Sequence, residues 1–166
     1  RKHASLACGA LLATHVGRRS TQTLGLMLRI RSFTESDRPL LEAIYRDCRL
    51  EATWLPPEIK SRSDFSRDTE GEAILVAVGR NDEPVGFISV WEPDRFIHHL
   101  YVRACSRREG IGEALLDALG ARVAKPWRLK CLRANSEAIA FYLAQGWNEI
   151  SSGTSEDGPF ALLERA

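Results

Sequence analysis

The residues Arg107-Arg108-Glu109-Gly110-Ile111-Gly112 have the types and spacing to hold a bulky anion. Two glycines separated by one residue let the backbone approach closely, because neither carries a Cβ. The run Glu113-Ala114-Leu115-Leu116 continues as an amphipathic helix. A helix starting here points its unpaired N–H groups and positive dipole end at the same spot. An apolar, strand-like run from Phe96 to Val102 comes just before. A strand, a basic glycine-rich turn and a helix together make a pyrophosphate cradle.

The spacing is not that of the two commonest phosphate loops. No Lys-Ser or Lys-Thr pair follows the glycines, as a Walker loop requires, and Leu115 stands where a dinucleotide fingerprint needs a third Gly or Ala. What remains is Arg-x-x-Gly-x-Gly at Arg107, Gly110 and Gly112, a pattern that an ordinary strand-to-helix turn with solvated arginines also satisfies. A second constellation lies downstream: Asn135, Ala138, Phe141, Tyr142, Gly146 and Trp147. It reads as a helix with Asn135 as N-cap and Gly146 as the left-handed residue past its end. Ala138, Phe141 and Tyr142 share one face. A capped helix with an aromatic core stripe fits the same residues.

Taken together and in this order, the two motifs resemble those of the GNAT superfamily of N-acetyltransferases. Arg107 to Gly112 resembles its acyl-coenzyme A loop, and Asn135 to Trp147 its second cofactor motif. The resemblance covers about Met27 to the end of the chain.

The elements that would position these residues follow from periodicity. Leu28 to Phe33 alternates as a half-buried strand does. Thr34 and Asp37 make a capping-box pattern opening a helix to about Cys48, with Leu40, Leu41, Ile44 and Tyr45 inward. Trp54-Leu55-Pro56-Pro57 breaks the chain, and a short polar helix spans Glu58 to Arg67. Strands follow at Ala73–Val78, Val85–Trp91 and Phe96–Val102. A helix from Gly110 to Val123 carries Ile111, Ala114, Leu115, Ala118, Leu119 and Val123 on one stripe. Trp127–Leu132 is a strand, the Asn135 helix comes next, and strands lie near Trp147–Ser151 and Phe160–Leu163, with a polar loop over 153–158. The order β-α-α-β-β-β-α-β-α-β-β predicts an α/β fold, a mixed sheet with helices on both faces. The resemblance implies that the fourth and fifth strands, Phe96–Val102 and Trp127–Leu132, splay apart around a pantetheine arm.

The length of 166 residues suits one domain, and 44% hydrophobic with 27% charged residues is ordinary for a globule that buries its own core. A net charge of +1 gives no nucleic-acid footprint. No run is long enough to span a membrane. Cys8, Cys48, Cys105 and Cys131 are widely spaced, which suggests neither a metal ribbon nor a disulfide framework, so no metal and a reducing cytoplasm are expected. Residues 1–26 differ from the rest: they hold Arg1, Lys2, Arg18 and Arg19 and no acid, and without them the chain is net acidic. Met27 is the sole methionine. The expectation is an N-terminal extension over 1–26, poorly ordered or non-native and unnecessary for activity, followed by one domain over 27–166. A targeting peptide or a basic arm fits the extension as well.

The resemblance implies acetyl-CoA as co-substrate and attack by an amine on its thioester. It assigns the pyrophosphate to backbone N–H groups of Arg108, Glu109, Gly110, Ile111 and Gly112. The side chains of Arg107 and Arg108 either add charge or are solvated. Leu100 and Val102 are to pair with pantetheine like an added strand. Asn135 is a cofactor contact, a helix cap, or both. Tyr142 occupies the position of a general acid for the departing thiolate, and equally suits a core tyrosine. His98 is the candidate base, because on a regular strand it shares a face with Phe96, Leu100 and Val102. A structural role for His98, His99 in its place, and water as base all stay open, and a bulge in this strand would break the parity.

Trp54, Leu55 and Pro56 either wall the acceptor site or form a packed turn. Glu58, Asp64 and Arg133 either meet substrate or are solvated. The expected partner is a small-molecule or peptide amine, with no nucleic acid or membrane, and a homodimer is open. A non-catalytic acyl-CoA-binding regulatory module is the alternative.

Overall fold

The computed structural model describes residues 28–166; the expectations for 1–26 lie outside the described residues. Its sheet has seven strands: β1 (Arg29–Ser32), β2 (Ala73–Val78), β3 (Pro84–Trp91), β4 (Phe96–Val102), β5 (Trp127–Leu132), β6 (Asn148–Ser155) and β7 (Gly158–Arg165). They are arranged β1-β2-β3-β4-β5-β7-β6. Every neighbouring pair is antiparallel except β4 with β5. Those two are parallel and register at one position, Phe96 opposite Arg128. Beyond it they separate, which opens the sheet at the C-terminal ends of both strands.

Helices cover both faces. The first, α1 (Arg38–Glu51), buries Leu41, Ile44, Tyr45 and Cys48 at helical spacing. They pack on Val76, Val78, Phe87 and Tyr101 of the sheet. Leu40, expected inward, is exposed, because the buried stripe starts one residue later. The short α2 (Pro57–Ser61) and α3 (Phe65–Asp68) replace the single helix expected over this stretch. The break has local causes. Asp64 accepts from the Arg67 amide and caps α3, while Arg49 holds Ser63 and the Ile59 carbonyl at 2.7 and 2.9 Å.

The opposite face carries α4 (Ile111–Gly120) and α5 (Ser136–Ala144). Ile111, Leu115, Leu116 and Leu119 of α4 pack on Leu75, Ile88, Ile97 and Leu100. Leu116 joins the expected stripe, and α4 ends at Gly120 rather than Val123. The helix α5 brings Ala138 and Tyr142 against Trp127 and Trp147. The hairpin β6–β7 runs through most of the stretch expected as a loop. Gly158, at φ 119°, permits a turn only two residues long.

One ion pair fixes the entry to α1. Asp37 is buried, accepts both Arg31 nitrogens at 2.7 Å, and accepts from the Thr34 amide at 2.8 Å. The Arg31 guanidinium holds its carboxyl down at about 2 against burial, which works the other way. A depressed carboxylate stabilises the fold above its ordinary value and loses that contribution as pH falls toward its folded value. Asp37→Asn should therefore cost about 2 kcal/mol at neutral pH, with the difference from the parent shrinking between about pH 4 and pH 2. Urea unfolding of both proteins across that range checks it.

Candidate active site

The gap between β4 and β5 continues into a cleft of about 320 Å³. Its wall is built from the end of β4 (Leu100, Val102), the turn (Arg107, Arg108, Gly110), the start of α4 (Ile111, Gly112) and α5 (Ala138, Phe141, Tyr142). Ser106 and Glu113 also line it. The structure thus brings together most of the residues singled out from sequence. Glu109, Asn135 and His98 are not in the wall.

The turn has the backbone an anion needs. Gly110 is left-handed at φ 79° and caps α4 without any side-chain hydrogen bond. Nothing stands within 4 Å of where its Cβ would be. The opening N–H groups of α4 have no partner within the helix and face the cleft mouth. Arg108 is also left-handed, at φ 69°. A non-glycine residue held there costs of order 1 kcal/mol, and such strain clusters at functional sites. Sequence gave no sign of it.

The two arginines part company. Arg108 is exposed on the cleft wall. Arg107 turns inward, its side chain only 5% exposed. It donates to Glu51 at 2.8 Å, to the Val102 carbonyl at 3.1 Å and to Cys48 Sγ at 3.4 Å. Burial works to lower its pKa, yet Cys48 and Glu51 leave it raised, so the charge is permanent. Arg107 is thus not solvated: in this arrangement it clips the turn to the end of α1.

On β4, the Arg103 amide donates to the Val85 carbonyl at 2.8 Å. By alternation, the polar backbone groups of Val102 and Leu100 point away from β3, into the gap. The Val102 carbonyl already accepts from Arg107 and Cys48. Its N–H and the Leu100 backbone groups are what the strand offers a ligand.

Tyr142 is buried and lines the inner wall. Its ring packs edge-on against Trp147 at 5.4 Å and Phe141 at 5.2 Å. Asn135 lies beneath the wall and caps α5, accepting from the Ala138 amide at 3.1 Å. Its Nδ2 is buried without a hydrogen-bond partner among the described residues.

His98 does not take the face that a regular strand predicts. In β3–β4, Ser89 sits opposite His99 and Val90 opposite Ile97, so His98 is the extra residue of a bulge. Parity breaks there. Ile97 and Leu100 pack in the same core cluster, and His98 does not share the Leu100 face. His98 instead meets Glu72, which stands just before β2, through Nδ1 and Oε1. His99 lies wholly inside, edge-on to Tyr45 at 5.3 Å. Burial pushes its pKa down to about 4, which keeps it neutral and out of reach of a substrate.

The acceptor-side residues sort similarly. Leu55 packs with Ala52 and Leu132 in a small third cluster, and Trp54 spans this cluster and the α4-side core. Asp64 is spent on its cap, Glu58 is exposed, and Arg133 pairs with Glu149. Cys131 is buried and Cys105 exposed. No group of His, Cys, Asp or Glu suited to a metal occurs among the described residues. No helix there is long and apolar enough to cross a membrane.

The family model for the acetyltransferase (GNAT) domain matches residues 42–161. The chain belongs to the GNAT acetyltransferase family. Solved GNAT structures share the fold. A GCN5-related N-acetyltransferase from Rhodopseudomonas palustris is 22% identical with a TM-score of 0.71, over 89% of this chain and 99% of that one. A ribosomal-protein-alanine N-acetyltransferase from Brucella melitensis is 25% identical with a TM-score of 0.60, over 83% and 99%. A phosphinothricin acetyltransferase from Sinorhizobium meliloti, in complex with AcCoA, is 22% identical with a TM-score of 0.61, over 84% and 88%. No curated protein sequence matches the chain. The parallel β4–β5 pair of this GNAT domain, joined at one end and open at the other, is the feature on which its cleft depends.

Proposed function

We propose that the protein transfers the acetyl group of acetyl-CoA to a primary amine of a small molecule or peptide, by direct attack in a ternary complex. One observation carries the reading: the uncapped N-terminus of α4, the open edge of β4 and Tyr142 all border one cleft. An anion-binding end, a strand-like slot and a phenol suit the three parts of a thioester carrier. The family supports acetyl transfer, and the AcCoA bound to the phosphinothricin acetyltransferase supports the donor. That relative and the ribosomal-protein-alanine enzyme are named for a small and a protein acceptor respectively, which supports an amine of either kind.

In this reading, amides of Arg108 to Gly112 hold the pyrophosphate, with Glu109 contributing backbone alone, and Arg108 adds charge from its exposed side chain. The Val102 N–H and Leu100 backbone groups align the pantetheine arm. Holding donor and amine side by side contributes several kcal/mol to the rate. The reaction forms a nitrogen–carbon bond and breaks the carbon–sulfur bond. The amine gives up a proton to His98, and the departing sulfur takes one from the Tyr142 hydroxyl. Asn135 fixes the first turn of α5 and so the position of Tyr142 one face along it.

A thiol-release assay across a panel of amines tests the reading. Amine-dependent release of CoA from acetyl-CoA is the expected result. Tight acetyl-CoA binding with no release for polyamines, aminoglycosides, amino acids or peptide N-termini would favour a non-catalytic acyl-CoA-binding module.

A further inference from the structure

Glu72 is a buried carboxylate that the steps above leave unused. It precedes β2, and its side chain is only 5% exposed. Ile74, two residues on, packs with the α1-side core, so Glu72 points to that face as well. Its Oε1 meets His98 Nδ1, while Oε2 is buried with no hydrogen-bond partner among the described residues. A buried carboxylate with only one oxygen paired to the protein is a poor stabiliser of a fold. Its one paired neighbour is a histidine at a bulge, and bulges re-aim side chains next to active sites.

The β4–β5 bridge lies at Phe96 and Arg128, and His98 comes two residues later. It therefore stands by the vertex of the splay, two residues before the cleft-lining Leu100. The cleft wall of α4 and α5 is on one face of the sheet, and the Glu72–His98 pair is on the other. A proton donor at Tyr142 and an acceptor at His98 would approach a thioester from opposite sides. Two titratable groups near the pair are already committed. His99 is sealed inside and neutral, and Asp68 accepts from the Tyr45 hydroxyl at 2.8 Å.

We infer that Glu72 is a positioning residue for acetyl transfer. It accepts the Nδ1–H of His98 and thereby fixes the tautomer whose lone pair sits on Nε2. The proton leaving the amine nitrogen goes to Nε2, and the Glu72 carboxyl holds the ring in place as it arrives. After the product leaves, His98 releases that proton to solvent and the Tyr142 phenolate takes one back from solvent. This rests on the reading of His98 as the base.

Turnover of Glu72→Gln, His98→Ala and the double variant, with acetyl-CoA titrations of each, tests both ideas separately. Glu72→Gln should lower kcat about tenfold to a hundredfold while acetyl-CoA affinity holds. The double variant should be no slower than His98→Ala, because the carboxylate acts only through the ring. Glu72→Asp, the check if Gln perturbs folding, should recover part of the loss. Multiplying losses in the double variant, or parent-like kcat in Glu72→Gln, would overturn the role of Glu72 while leaving the base in place. Parent-like kcat in His98→Ala would instead remove the base, and the inference with it.

Discussion

Tyr142→Phe should lower turnover about a hundredfold and leave acetyl-CoA affinity within about twofold. The substitution removes one oxygen. The ring keeps its edge-on contacts with Trp147 and Phe141, so the cleft wall keeps its shape. Loss of a single hydroxyl costs stability on the order of 1 kcal/mol, too little to unfold a domain of this size. What disappears is the proton for the departing sulfur, a contribution worth a factor of about 10² to 10⁴ when well placed. Steady-state kinetics with a titration of acetyl-CoA separates the two quantities. Unchanged turnover would assign Tyr142 to the core alone.

Gly112→Val should do the reverse, weakening acetyl-CoA binding more than tenfold while the protein still folds. A Cβ at Gly112 would stand 3.4 Å from Phe141 Cζ, across the neck of the cleft. That is ordinary contact, so an added methyl alone is tolerated. The two branches of Val go further and occupy space beside the opening amides of α4. Val is no worse a helix former than the Gly it replaces, so propensity costs nothing here. The loss therefore falls on the ligand. Thermal melting near the parent value with lost affinity is the expected pair of results. Parent-like affinity would mean that the carrier does not pass this point.

Much of this was legible because it is written in local patterns. The left-handed Gly146, the Asn135 cap and the Thr34–Asp37 box each sit within a few residues of the helix they serve. The strands β2 to β4 are largely apolar runs of the right length and β5 alternates, so their bounds were readable for the same reason. What escaped depends on distant partners. Nothing in the residues around His98 marks a bulge, which arises from how β4 registers on β3. Arg107 reads as a phosphate ligand by its neighbours, yet its acid is Glu51, on α1. Glu72 gave no signal for a related reason: its partner, His98, is 26 positions away. The short turn of β6–β7 was hidden by composition. Its strand β6 is Ser- and Thr-rich because it is an exposed edge, and so it resembles a loop.

Everything described for the cleft requires that the amides at the mouth of α4 take the pyrophosphate of a thioester carrier. Isothermal titration of the folded protein with acetyl-CoA, CoA, ATP and NAD addresses this directly. Saturable, one-to-one uptake of acetyl-CoA and CoA is expected, weakened more than tenfold in Gly112→Val and retained in Tyr142→Phe, with ATP and NAD far weaker. No heat from acetyl-CoA on well-folded protein, or equal binding of all four, would contradict it.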